Sequence, residues 1–258
     1  MYGKKIQWTD KESLTVFIRD SKYEGQLPCF YPSDKFPELI ILLKNWKEIQ
    51  QEVFEYERLR GQIKGLNTYS PPELSSEVSW SNIYLENFMW KFHKNRKNFP
   101  KTCALLEQIP NCTLAAISVL SPQSTIKPHY GDTNGIIRCH LGLSIPDAYP
   151  ICGIKVSDEE MGWEEGKIVL FTEAHLHTTW NFSNKRRYLL VIDIVPDFIT
   201  VSKLTLCSKV LGAQTYNYFE KKIPILKKIP QQKLYPIHYL LSLCWKLYLP
   251  LQRRFNFF

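Results

Sequence analysis

Histidines and arginines gather in two stretches of this chain, and their types and spacing limit the chemistry open to it. His129 sits in a turn-rich loop marked by Gly131, Asp132, Asn134 and Gly135. The chain then alternates, with Ile137, Cys139, Leu141 and Leu143 on one side and Ile136, Arg138, His140 and Gly142 on the other. A period of two is that of a strand. A cation and an imidazole on one face beside an apolar layer are costly unless an anionic group meets them, so this face is expected to line a site. The second stretch, residues 166–197, carries a short apolar strand ending at Phe171, then His175 and His177, then a basic turn at Lys185, Arg186 and Arg187. A further strand follows through Val195, with Arg187, Leu189, Val191 and Asp193 on one face and Arg186 on the other. The constellation is a metal-capable pair of histidines near arginines able to bind anions. Spacing favours His177 over His175 only modestly, because two positions apart on an extended chain they share a side.

Several elements must hold these residues in place. Residues 31–60 read as a helix, with Ser33 or Asp34 as cap, Pro37 in the first turn, and Leu39, Leu42, Leu43, Trp46, Ile49 and Val53 as its apolar stripe. Further helices are expected over residues 82–94 and 100–108. Between the first two, a loop with Gly65, Ser70, Pro71 and Pro72 is long enough for a lid, or is a plain surface connection. His93 reads as a surface or helix histidine, Asn134 as a turn residue and Trp180 as core. No secretory signal is visible at the start. Seven widely spaced cysteines without a CxxC pair read as reduced thiols in a cytoplasmic protein, neither zinc ligands nor a disulfide framework.

Charge is uneven. The chain carries +8, yet residues 201–258 alone hold ten Lys or Arg against the single acid Glu220, a net +9. The cations are interleaved with Ile223, Ile225, Leu226 and Ile229 and then with the apolar run of residues 235–251, which includes His238. That is no nucleic-acid surface. The run is interrupted by Pro236, Lys246 and Pro250 and is short for a membrane span. Two readings stand: an amphipathic segment over residues 220–258 in peripheral contact with an anionic membrane, or a helix docked on the core with solvated lysines.

In order along the chain, His129 in its Gly/Asn loop, Arg138 to Leu143 (RCHLGL), Trp163 to Lys167 (WEEGK), Phe171, His177 and Arg187 resemble the aspartyl/asparaginyl β-hydroxylase family. The same motif is similar in bacterial lipid A 2-hydroxylases. The resemblance covers about residues 110–197. It implies a mainly β fold, a double-stranded β-helix of the jelly-roll or cupin type with flanking helices. The implied layout is a helical segment over residues 1–109, an oxygenase core over 110–200 and a basic helical extension over 201–258.

It also implies a dioxygenase using Fe(II), 2-oxoglutarate and O2. His129 and His177 would be the catalytic metal ligands, Arg138 and His140 would bind one carboxylate of 2-oxoglutarate, Arg187 would pair with the other, and Ser118 falls where the family has a serine that helps hold the co-substrate. Most enzymes of this chemistry add an acid two residues after the first histidine. Here that position is Gly131, as the family's missing carboxylate implies, and Asp132 is left off the metal; His175 is assigned at most to the surroundings of the ligands. Peptide-acting members carry an arginine where this chain has Ile136. The first expectation for substrate is an Asp/Asn-type peptide residue or a small carboxylated molecule, the second a lipid acyl chain at a membrane surface. A non-catalytic binding module is the third, opposed by the completeness of the residue set.

Overall fold

The computed structural model describes residues 14–19, 21–63 and 80–255. The loop with Gly65, Ser70, Pro71 and Pro72 lies outside them. Strand β1 (Phe30–Tyr31) and two 3-10 turns occupy the first part of the helix expected over residues 31–60, and helix α1 (Ile40–Arg60) follows, with Leu39 at its N-cap and Leu42, Ile49 and Val53 within it buried as the apolar stripe requires. Each such side chain contributes about 1.5–3 kcal/mol by leaving water.

Residues 82–94, expected as a helix, are instead the strands β2 (Trp80–Asn87) and β3 (Trp90–Lys91) followed by one helical turn, α2 (His93–Arg96). The two strands are joined through Phe88 and Met89 at φ 45° and 70°. Positive φ at both central residues suits a tight hairpin, and the cost for non-glycine residues is offset by burial of Phe88 at 1% exposure. β2 pairs with β4 from Trp80 opposite Leu120 to Asn87 opposite Leu114, which puts Ile83 and Leu85 into the core. Tertiary pairing overrides local helix propensity here. Helix α3 (Pro100–Leu106) begins where expected.

Eight strands then divide equally between two antiparallel sheets, alternating except at the β7–β8 hairpin: β4 (Cys112–Leu120), β5 (Ser124–His129), β6 (Ile137–Ser144), β7 (Cys152–Val156), β8 (Glu159–Met161), β9 (Ile168–Phe171), β10 (His177–Asn181) and β11 (Arg187–Ile194). One sheet runs β1-β9-β6-β11-β4-β2-β3 and the other β5-β10-β7-β8. That connectivity is a double-stranded β-helix, the jelly-roll architecture. β1, β2 and β3 widen its larger sheet, so residues before 110 contribute strands as well as helices. Ile137, Cys139, Leu141 and Leu143 belong to the main core, where β6 packs on α1, as the alternation predicts.

Helices α4 (Lys203–Lys222) and α5 (Leu234–Phe255) form a hairpin beside the β2–β3 end of the sheet. Ser202 caps α4 by accepting from the Thr205 N–H. Gly212 lets the helices approach, since a Cβ there would lie 2.6 Å from Ser242 Oγ. His238 Nε2 meets the Lys209 carbonyl at 2.8 Å, tying α5 to α4. The far end of α5 is fixed to the sheet: Gln252 bonds both the N–H and the carbonyl of Lys91, and Arg253 pairs with Glu86 at 2.5 Å.

Candidate active site

The last residue of β5 and the first of β10 are His129 and His177, and the register sets them directly opposite each other. Their rings lie 4.2 Å apart between centroids. Each Nδ1 meets the backbone carbonyl two residues earlier at 2.8 Å, His129 that of Lys127 and His177 that of His175. With Nδ1 donating, Nε2 keeps its lone pair, the tautomer a metal ligand needs. Burial lowers the pKa of both, that of His177 well below the ordinary value, with His129 beside it acting in the same direction. His175 turns away: its Nε2 donates to the Leu27 carbonyl at 2.7 Å and its ring packs edge-on against Tyr23.

The cleft between the sheets is lined by both histidines together with Ser118, Arg138, His140 and Arg187. All six residues expected from sequence therefore meet in one place. Arg187 opens β11 at 1% exposure, with its guanidinium carbon 4.5 Å above the centre of the Trp163 ring. Among the described residues its Nε and Nη1 have no hydrogen-bond partner, and neither do His140 Nδ1, Trp163 Nε1 and Thr179 Oγ1. Buried donors in native proteins are nearly always paired, so this concentration is what an anion-binding site requires. Burial lowers the Arg187 pKa to about 10. It also carries His140 well below its usual value, with the Arg138 and Arg187 cations acting in the same direction. Ser118 Oγ accepts from Trp80 Nε1 at 3.0 Å.

Arg138 differs from its sibling. Asp193 stands directly across from it on β11 and takes Nε and Nη2 in a fork, both at 2.7 Å, while Nη1 meets Glu173 at 2.5 Å. The anionic groups demanded by the apolar surroundings of Arg138 thus come from the chain itself. Burial opposes its charge, yet Asp193 and Glu173 raise its pKa above the usual value. Arg138 keeps N–H groups to offer a ligand, with its charge already compensated. Glu173 is itself pushed well above the carboxylate range by burial, against the pull of Arg138.

Gly131 has no room for an acid. A Cβ at that position would fall 2.5 Å and 2.6 Å from Glu173 Cγ and Cδ. Asp132 accepts from Gln214 of α4 at 2.9 Å. Among the described residues, no group of three or more His, Cys, Asp or Glu is arranged to hold a metal. Arg186 faces the other way and pairs with Glu57 at 2.6 Å. Asn134 is buried in the loop, its side chain accepting from the Thr15 N–H, and Trp180 is only partly buried, its Nε1 donating to the Pro150 carbonyl. Sequence reasoning gave no role to Trp163, Glu173 or Thr179, nor to Trp80, Asn82 and Tyr84, which line the cleft from β2. The alternation of Trp80, Asn82 and Tyr84 with Ser81, Ile83 and Leu85 was the available signal.

A family model described as aspartyl/asparaginyl β-hydroxylase matches residues 43–196. An ornithine lipid ester-linked acyl 2-hydroxylase of Rhizobium tropici is 29% identical over 65% of the chain and 60% of its own length. The human aspartyl/asparaginyl β-hydroxylase is 32% identical over 65% of the chain and 22% of its length. The human aspartate β-hydroxylase domain-containing protein 2 is 38% identical over 70% of the chain and 54% of its length. The chain thus spans less than two thirds of each of these relatives. With the family match extending over more than half of its residues, the chain belongs to the aspartyl/asparaginyl β-hydroxylase family.

Proposed function

We propose that the chain is an Fe(II)- and 2-oxoglutarate-dependent dioxygenase that hydroxylates an unactivated C–H bond. The observation that carries this reading is the pairing of His129 and His177, each with Nε2 free, beside a buried guanidinium whose Nε and Nη1 are unpartnered. Neutral imidazoles suit ferrous iron, and a forked cation suits a carboxylate. His129 and His177 would hold the metal. Arg187, braced by Trp163, would bind one end of 2-oxoglutarate with Ser118. His140 and the remaining N–H groups of Arg138 would meet the other. Iron and 2-oxoglutarate, when bound with O2, supply the oxidising power. The protein orients the groups, and Ile126, Leu114, Phe171 and Val191 give the cleft apolar walls that exclude water.

For substrate, the family description points to an Asp- or Asn-type residue or a small carboxylated molecule. A lipid acyl chain is a second reading, favoured by two observations. The charge of Arg138 is compensated internally, and Ile136 is buried against α4 in an apolar cluster with Leu206 and Val210. The test is succinate formation by the purified protein with Fe(II), ascorbate and 2-oxoglutarate, offered acidic peptides, free amino acids or acylated lipids, with His177→Ala as control. Succinate formation stimulated by one class identifies it. Iron binding with no affinity for 2-oxoglutarate would refute the dioxygenase and leave a non-catalytic binding module.

A further inference from the structure

Helix α5 has two apolar faces, and among the described residues only one is covered. Its inner face, with Leu234, Ser242, Leu249 and Gln252 buried, packs on α4 and the β3 edge. The outer face carries Tyr235, Tyr239, Leu243, Leu247 and Leu251 at successive intervals of four, flanked by Leu240. Tyr239 is 72% exposed, Leu240 61% and Leu247 68%. At 1.5 Å per residue this stripe lies on a helix about 33 Å long. Soluble proteins seldom leave so continuous an apolar strip in water.

Charge narrows what can cover it. Lys246 lies within the outer face, while Lys227, Lys228 and Lys233 are exposed just before α5. None of these four forms an ion pair among the described residues. The one acid of the region, Glu220, is held by Arg19 at 2.5 Å. A second copy of the chain meeting this face across a two-fold axis would bring like charges together. No helix among the described residues is long and apolar enough to cross a membrane.

We propose that the outer face of α5 docks on an anionic lipid surface, the helix lying in the interface with leucines inward and lysines at the headgroups. Leucines supply the buried area, lysines the attraction to anionic lipid, and Tyr235 and Tyr239 suit the level at which a ring meets hydrocarbon and its hydroxyl meets water. Docking leaves the fold unchanged, because the inner face of α5 and its Gln252 and Arg253 anchors stay on the sheet. The inference does not depend on the dioxygenase reading, and its test reads binding rather than turnover.

The experiment is co-sedimentation of the 258-residue chain with vesicles of phosphatidylcholine alone or mixed with phosphatidylglycerol. Binding is expected only with the anionic lipid. It should weaken about fivefold for each of Lys227, Lys228 and Lys233 changed to Gln, and be lost in Leu240→Glu/Leu247→Glu. Both positions are exposed, so an unchanged melting temperature verifies the fold. Cys244, the one exposed cysteine, lies on the same face. An environment-sensitive dye there should shift to the blue with anionic vesicles. Absence of binding to anionic vesicles overturns the proposal. So does a solution dimer broken by Leu240→Glu/Leu247→Glu, which would assign the face to a second copy.

Discussion

Arg187 lies with its guanidinium carbon 4.5 Å over the Trp163 ring, with Nε and Nη1 buried and unpartnered. Such a cation costs stability until an anion meets it. Arg187→Met should therefore weaken 2-oxoglutarate binding by about 3 kcal/mol, roughly a hundredfold, while raising the melting temperature of the ligand-free protein. Calorimetric titration and thermal melting of one preparation check both. A variant that binds 2-oxoglutarate normally, or that is destabilised, contradicts the assignment.

Gly131 is a second point where space decides. Gly131→Asp would supply the acid that most two-histidine iron sites add, but its Cβ collides with Glu173. Overpacking of this kind costs about 1–3 kcal/mol. We expect lower stability in denaturant and no gain in iron affinity, measured by titration with a competing chelator. Glu173→Ala in the Gly131→Asp background should recover only part of the lost stability, because it removes the colliding carboxyl but leaves the Glu173 backbone oxygen 2.7 Å from the added Cβ.

The metal ligands can be tested without turnover. Fe(II) that binds the native state stabilises it by mass action. His129→Ala or His177→Ala should each abolish most of the Fe(II)-induced rise in melting temperature. His175→Ala should leave it intact, since its Nε2 is committed to the Leu27 carbonyl. A full thermal shift in either of the first two variants removes that residue from the metal.

Much of this site was legible because its parts are local. Alternation through residues 136–143 fixes which residues share a face, and the structure puts Cys139 in the core and His140 in the cleft as that period demands. The apolar stripe of α1 was equally plain. What was not legible depends on contacts distant in sequence. Glu173 and Asp193 clamp Arg138 from two other strands or loops, and nothing near Arg138 in the chain announces them. β2 was read as helix because its character comes from pairing with β4 and from a Phe88–Met89 turn without glycine. Helix α5 was legible as amphipathic, but which of its faces is covered follows only from its contacts with α4.

Stability should also depend on pH in a set direction. The folded state holds His140 and His177 well below the ordinary value of 6.5, chiefly through burial. A group with a depressed folded pKa contributes stability that is complete above its unfolded value and lost as pH falls. The raised Glu173 carboxyl acts in the opposite direction, so in a Glu173→Gln background, which removes it, the unfolding free energy of the ligand-free protein should decline from about pH 7 toward about pH 5. Fe(II) should steepen the decline, because protons compete with the metal for His129 and His177. Denaturant unfolding across this range, with and without Fe(II), is the measurement. A flat profile would contradict the burial of neutral imidazoles.

Ile136 allows a direct test of how far substrate preference can be moved. The resemblance to peptide-acting members of the family implies an arginine at this position in them, which suggests Ile136→Arg as a route to acidic peptides. In this structure Ile136 is 1% exposed and packs with Leu206 and Val210 beneath α4. An arginine would meet an apolar layer, and an unpaired buried charge costs about 3–5 kcal/mol. We expect Ile136→Arg to destabilise the protein by that order and to gain no binding of an acidic peptide. Ile136→Val should lose only about 0.5–1.5 kcal/mol. Urea unfolding of both variants separates the cases. If Ile136→Arg is as stable as Ile136→Val and binds the peptide, the side chain at 136 reaches the cleft, and the peptide reading gains over the acyl-chain one.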